Sequence, residues 1–312
     1  MSQTPQASLS SINGCHIYHE EGGTGDAVVF VHGGFPGLMT ALCRSEVQGW
    51  TWSWELDFAE GYRFIWYDRR GCYRSSSPPG GYELENQVRD LEQLLDQLGV
   101  SCCHVIGSSA GGPISMLLAV AHPSRVRSLV LCGTALDLFP PADRATQAIL
   151  IYMEAVGRHG PDALLTERPK GTEASLNALW EPEEAEARGE FDTYRCQLAH
   201  LVDQAKAIPS EERRRCYDIE LQAIRAYMGV DLWAYASHVA CPTMVVHGEN
   251  DRMVPIAWGK QLAEALPGSR LEVITKGSHG LVTRSREVRQ LILRFLATMS
   301  SNKPTERELR NG

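Results

Sequence analysis

The 312 residues carry 30 Lys and Arg against 38 Asp and Glu, a net charge of -8 that argues against nucleic acid or an anionic membrane as the main partner. With 43% apolar and 22% charged residues, the chain has the make-up of a soluble globular protein long enough to bury a large core. Nine cysteines, an odd number without C-x-x-C spacing, predict reduced thiols and a cytoplasmic protein rather than a disulfide framework or a zinc site.

Residues 1–11 are polar and lack the charged-then-apolar layout of a signal peptide, and no apolar run reaches bilayer length. A first strand is expected at 27–31, running into His32-Gly33-Gly34-Phe35-Pro36-Gly37, and a second at 62–67, ending at Asp68. Leu84, Val88, Leu91, Leu95 and Leu98 recur at helical spacing, with Gly99 placed to end that helix. A strand at 104–106 runs into Gly107-Ser108-Ser109-Ala110-Gly111, and a helix follows in which Pro113 sits in the first turn, where a missing N–H costs nothing. A strand at 126–131 comes next. From 137 to 240 the alternation stops, and amphipathic helical stretches at 145–156, 194–208 and 218–228 replace it. Strands at 243–246 and 271–274 and helices at 256–266 and 288–296 restore it, and 300–312 is a polar tail expected to be disordered. Short apolar runs alternating with helices predict a mostly parallel sheet covered on both faces. The core is thus expected in two parts, 12–136 and 241–299, with 137–240 a helical cap inserted over the carboxyl edge of the sheet, where open α/β sheets bind ligands.

G-x-S-x-G between a strand and a helix is the layout of a nucleophile elbow, and the spacing selects Ser109 over Ser108. The turn is tight enough to need glycine two residues either side, and it leaves the Ala110 amide beside the serine at a helix N-terminus. A serine alcohol needs a base, and the base needs an orienting group. His279 in Gly277-Ser278-His279-Gly280 follows the last expected strand, and Asp251 in Gly248-Glu249-Asn250-Asp251 follows the one before. The order Ser109, Asp251, His279 puts all three at carboxyl ends of strands, with Asp137 as the alternative acid. Gly34 or Phe35 would supply the second oxyanion amide beside Ala110, and His32 reads as a residue that fixes loop geometry rather than as the base. Trp54, Phe139, Tyr152, Trp180 and Trp233 are the candidate substrate contacts. Glu181, Glu183 and Glu184 read as a solvated face before they read as an amine site.

These motifs, with Tyr67-Asp68-Arg69-Arg70-Gly71 and Ala121-His122-Pro123-Ser124-Arg125-Val126, resemble the α/β-hydrolase superfamily, specifically its smaller, helically capped esterase, lactonase and peptidase-like members. The resemblance spans roughly 12–299 and implies an α/β-hydrolase fold and a serine hydrolase acting on an ester, lactone or related acyl bond of a small, partly apolar substrate. It implies neither metal nor organic cofactor, and a small-molecule substrate as partner, with a homodimer left open. Tyr73 departs from the glycine usual in D-x-R-G-x-G-x-S. Ser109 stands where haloalkane dehalogenases and epoxide hydrolases carry aspartate, and the G-G-S-W-G elbow of proline iminopeptidases is absent. A proline-iminopeptidase-like aminopeptidase is the alternative within the class. A slow-turnover receptor or a carbonyl-adding lyase on the same fold is the alternative outside it.

Overall fold

The computed structural model, which describes residues 6–37, 40, 58, 61–140, 146–147, 203–251, 253–280 and 285–300, opens with two strands that the apolar runs do not announce. These are β1 (Gln6–Ile12) and β2 (Cys15–Gly23), an antiparallel hairpin turned by Asn13 and Gly14 at φ 45° and 71°. Two successive positive φ values match the right-handed twist of a hairpin, and Asn-Gly is the pair that accepts them most readily. The six expected strands follow as β3 (Asp26–Val31), β4 (Tyr62–Tyr67), β5 (Cys103–Ser108), β6 (Val126–Cys132), β7 (Thr243–Gly248) and β8 (Arg270–Ile274).

All eight form one sheet in the order β1-β2-β4-β3-β5-β6-β7-β8. β1 and β2 are antiparallel to their neighbours, and every pairing from β4 to β8 is parallel. Side chains of β3 alternate between two cores: Val29 and Val31 join one apolar cluster, Val28 and Phe30 the other. The first cluster takes in α1 (Leu84–Gln97) and α2 (Gly111–Ala121); the second takes in α6 (Arg286–Met299). Burial on both faces explains why these strands read as continuous apolar runs.

The described part of 137–240 holds α3 (Ser210–Tyr227) and the short α4 (Trp233–Ala236), and among the described residues of that segment there is no strand. α5 (Ile256–Ala265) separates β7 from β8. Trp54, Tyr152 and Trp180 lie outside the described residues, as do nearly all of the 145–156 stretch, most of 194–208 and the tail beyond Ser300. No helix among the described residues is long and apolar enough to cross a membrane.

The position of β3 sets up the site. It lies between β4 and β5, so the chain leaves it toward one side of the sheet and returns on the other. Such a reversal of strand order is where open α/β sheets bind ligands, outside the carboxyl ends of the strands. Val31 pairs with Gly107, which brings Gly33 alongside Ser109 two residues further on.

Candidate active site

Ser109 sits between β5 and α2 with φ 49°, a left-handed conformation that a non-glycine residue adopts only at a cost of about 1–3 kcal/mol. The turn closes on its neighbours so tightly that side chains have no room. A Cβ on Gly111 would stand 2.1 Å from the Val31 carbonyl oxygen, and one on Gly107 would stand 2.4 Å from Ser115 Oγ. A Cβ on Gly33 would stand 2.8 Å from Ser109 Cβ. The Ser109 carbonyl accepts from the Gly112 amide and from Thr134 Oγ1, both at 2.8 Å. In a planar trans peptide the carbonyl and the following amide point in opposite directions, so these two bonds fix the direction of the Ala110 N–H.

The loops after β7 and β8 are tied together. The Asn250 amide donates to the Gly277 carbonyl at 2.9 Å, and Glu249 Oε2 accepts from the Lys276 amide at 3.0 Å. This brings three distant residues into one line. His279 Nδ1 donates to Asp251 Oδ2 at 2.8 Å, and His279 Nε2 lies 3.1 Å from Ser109 Oγ. Because the carboxylate can only accept, Nδ1 carries the proton and Nε2 is left as an acceptor for the serine hydroxyl. The other Asp251 oxygen accepts from the Met253 and Val254 amides at 2.9 and 2.8 Å, which fixes the carboxylate plane. Asp137 is used locally: its Oδ1 accepts from the Phe139 amide at 2.9 Å.

His32 is buried beside this line with both ring nitrogens engaged. Nε2 accepts from the Arg69 amide at 3.0 Å, so Nδ1 must be the donor to the Gly33 carbonyl at 2.7 Å. Burial, helped by the Arg69 charge, pushes its pKa well down, so the ring stays neutral and serves the loop. Tyr73 takes φ 44°, the conformation a glycine would adopt there, and sets its ring edge-on to His32 at 5.1 Å. His247 lies under Asp251, its Nε2 donating to the Val254 carbonyl at 2.8 Å, and burial lowers its pKa too.

Phe35 packs against Phe139 and Tyr227 at ring-centroid distances of 5.6 and 5.1 Å, so Phe139 borders the glycine-rich loop. Trp233 opens α4 and is 50% exposed. Two residues that hold the site were not singled out from sequence: Thr134, on the Ser109 carbonyl, and Arg69, on the loop after β3. Each acts by bonding a backbone carbonyl far away in the chain, which leaves no local pattern. Among the described residues no group of three or more His, Cys, Asp and Glu side chains is placed to hold a metal ion.

The fold has counterparts. A family model described as the alpha/beta hydrolase fold matches residues 26–282. "Putative carbamate hydrolase RutD" of Variovorax paradoxus (strain S110) is 30% identical over 244 residues, which cover 77% of this chain and 84% of that one. The crystal structure of bromoperoxidase from Bacillus anthracis superposes with a TM-score of 0.66 at 27% identity, covering 93% of this chain and 99% of the other. Est816, described as an N-acyl homoserine lactone degrading enzyme, superposes with a TM-score of 0.61 at 25% identity, covering 92% and 100%.

Proposed function

The chain belongs to the α/β-hydrolase family and is an enzyme of that fold; on that premise we propose a serine hydrolase that cleaves an ester, lactone or related acyl bond of a small, partly apolar substrate through an acyl-enzyme. The observation that carries this reading is the unbroken line Ser109–His279–Asp251, at 3.1 and 2.8 Å. His279 Nε2 takes the hydroxyl proton as Ser109 Oγ attacks the carbonyl carbon, and the carbonyl oxygen becomes an oxyanion. The Ala110 amide and that of Gly34 or Phe35 receive it; one such donor is worth about 3–4 kcal/mol. The imidazolium then protonates the departing oxygen or nitrogen as the bond to the carbonyl breaks. Water, deprotonated by His279, attacks the acyl-serine and releases the acid. The names of two relatives, a carbamate hydrolase and a lactone degrader, point to the same carbonyl chemistry.

Residues 137–240 form the cap in this reading, and Phe139 and Tyr227, tilted and edge-on against Phe35, are contacts it makes with the glycine-rich loop. Trp54, Tyr152, Trp180 and Trp233 are proposed to complete an apolar substrate surface. The seven described cysteines are all free thiols, which agrees with a reducing cytoplasm.

Labelling with a fluorophosphonate probe, followed by peptide mapping, tests the nucleophile. The wild type is expected to carry the label on Ser109, and Ser109→Ala is expected to lose both label and turnover while keeping its melting temperature within a few degrees. Label on Ser108 or on a cysteine would refute the assignment. Turnover of short-chain aryl esters, lactones, carbamates and N-terminal-proline peptides then separates the acyl classes.

A further inference from the structure

Three arginines and three acids, Asp68, Asp90 and Glu20, meet at the Asp68 turn, and their pairing is uneven, because Arg74 takes both Asp68 and Glu20. Arg74 Nε donates to Asp68 at 2.7 Å, and Arg70 binds Asp90 through Nε at 2.6 Å and Nη2 at 2.5 Å. Arg69 is 2% exposed and has no carboxylate within salt-bridge distance among the described residues. Its hydrogen-bond partners are neutral oxygens. Nη1 donates to Gln87 Oε1 at 2.9 Å and to the Tyr227 hydroxyl at 3.1 Å. Nη2 donates to the Gly33 carbonyl at 3.3 Å and, more closely, to the Gly34 carbonyl. Nε has no partner. Tyr227 passes the link on, its hydroxyl donating to the Ala110 carbonyl at 2.7 Å.

One guanidinium and one phenol thus join the two segments that flank Ser109. Burying a cation away from any counter-ion is costly. That cost falls beneath the glycine-rich loop, on the face opposite its amides. With the Gly33 and Gly34 carbonyls drawn to Arg69, peptide planarity turns the Gly34 and Phe35 N–H groups away from it. Tyr227, bonded across to Ala110, sets the spacing between this loop and the elbow.

We propose that Arg69 and Tyr227 are positioning residues of the oxyanion hole, holding the Gly34–Phe35 and Ala110 segments in register on Ser109 while Arg69, without a carboxylate partner among the described residues, adds a positive charge behind the oxyanion. The proposal rests on the serine-hydrolase reading above and adds to it two residues that touch neither substrate nor the reacting atoms. Neither follows from the family's motif: Arg69 stands at the variable second position of D-x-R-G, and Tyr227 lies on α3, far from any motif.

The test uses p-nitrophenyl acetate turnover together with two inhibitors. Phenylboronic acid adds to Ser109 Oγ, which gives its proton to His279, and the four-coordinate boron carries the negative charge of an oxyanion. Benzamide has a similar ring and size but binds as a neutral molecule. Tyr227→Phe is expected to lower kcat roughly tenfold and Arg69→Gln roughly 100-fold, within the range seen when one oxyanion donor is lost, with KM changed less than about twofold. Both variants are expected to bind phenylboronic acid about tenfold more weakly and benzamide as before. Arg69→Lys, which keeps the charge and loses the fork, is expected to recover part of the boronate affinity. If Tyr227→Phe melts normally and leaves kcat and boronate affinity unchanged, the proposal is wrong. Equal weakening of boronate and benzamide would overturn it as well, because that marks general loosening of the site. Failure of the wild type to form a Ser109 adduct would remove the hydrolase reading itself, an outcome separable from both.

Discussion

Asp251 offers its two oxygens to different tasks, and in the proposed serine-hydrolase reading that division suits it to orient His279 better than Asp137, which follows the neighbouring strand. Oδ2 accepts from His279, while Oδ1 accepts two backbone amides that keep the carboxylate from rotating. Asparagine at this position would present an N–H₂ to one of these groups. If the amide nitrogen faced His279, the ring would have to accept at Nδ1, which would leave the proton on Nε2, where the serine needs an acceptor. Asp251→Asn is therefore expected to lower kcat by about 10³–10⁴-fold with the fold retained, whereas Asp137→Asn should leave kcat within about twofold. Steady-state kinetics on one ester decides between them, and the reverse ranking would move the acid to Asp137. The three residues of this line were legible in the sequence because each follows directly on a strand. Arg69 and Thr134 were not, since each acts through a hydrogen bond to a carbonyl 25 or more residues away.

At the scale of elements, burial accounts for part of what the sequence showed, since β8 was expected although none of its residues is buried and β2 was missed although several of its residues are. β3 to β7 are covered on both faces and read as unbroken apolar runs. β1 is largely open to solvent, and its serines gave no run to detect. The one local sign of that hairpin was the Asn13-Gly14 pair. Glycines around the elbow show the same dependence on packing. Gly111 and Gly99 both invite replacement by alanine, because one begins α2 and the other follows α1. The first faces backbone at 2.1 Å, which cannot yield, whereas the second has nothing within 4 Å and only a φ of 67° to oppose the change. Gly99→Ala should therefore cost about 1–2 kcal/mol, the ordinary penalty of a left-handed residue. Gly111→Ala should cost several kcal/mol or prevent folding, since α2 must move off β3. Urea denaturation of the pair checks this; similar midpoints would show that the elbow has room that the geometry denies it.

Across the whole molecule, burial has left several histidines whose folded state favours the neutral form. Desolvation lowers the pKa of His19, His32 and His247, and it pushes His104, completely buried against Ser128, down to about 4. In the unfolded chain these rings titrate near 6.5. Between that value and their folded pKa the unfolded state binds more protons, so each contributes stability at neutral pH that is lost as the pH falls. For His104 the window is about 6.5 to 4, and the full loss is on the order of 3 kcal/mol. Glu220 acts in the opposite sense. Desolvation raises its carboxyl to about 7, so folding is penalised at high pH and the penalty is relieved as the pH drops through 7 toward its unfolded value. The two substitutions should therefore bend the pH profile in opposite directions. His104→Gln should flatten the loss of stability between pH 6.5 and 4, whatever its effect at neutral pH. Glu220→Gln should raise stability at pH 8, leave it near the wild type at pH 4.5, and so steepen the decline between them. Urea midpoints measured at pH 8, 6.5 and 4.5 for the three proteins read this directly. Parallel profiles would mean that neither group changes its protonation on folding.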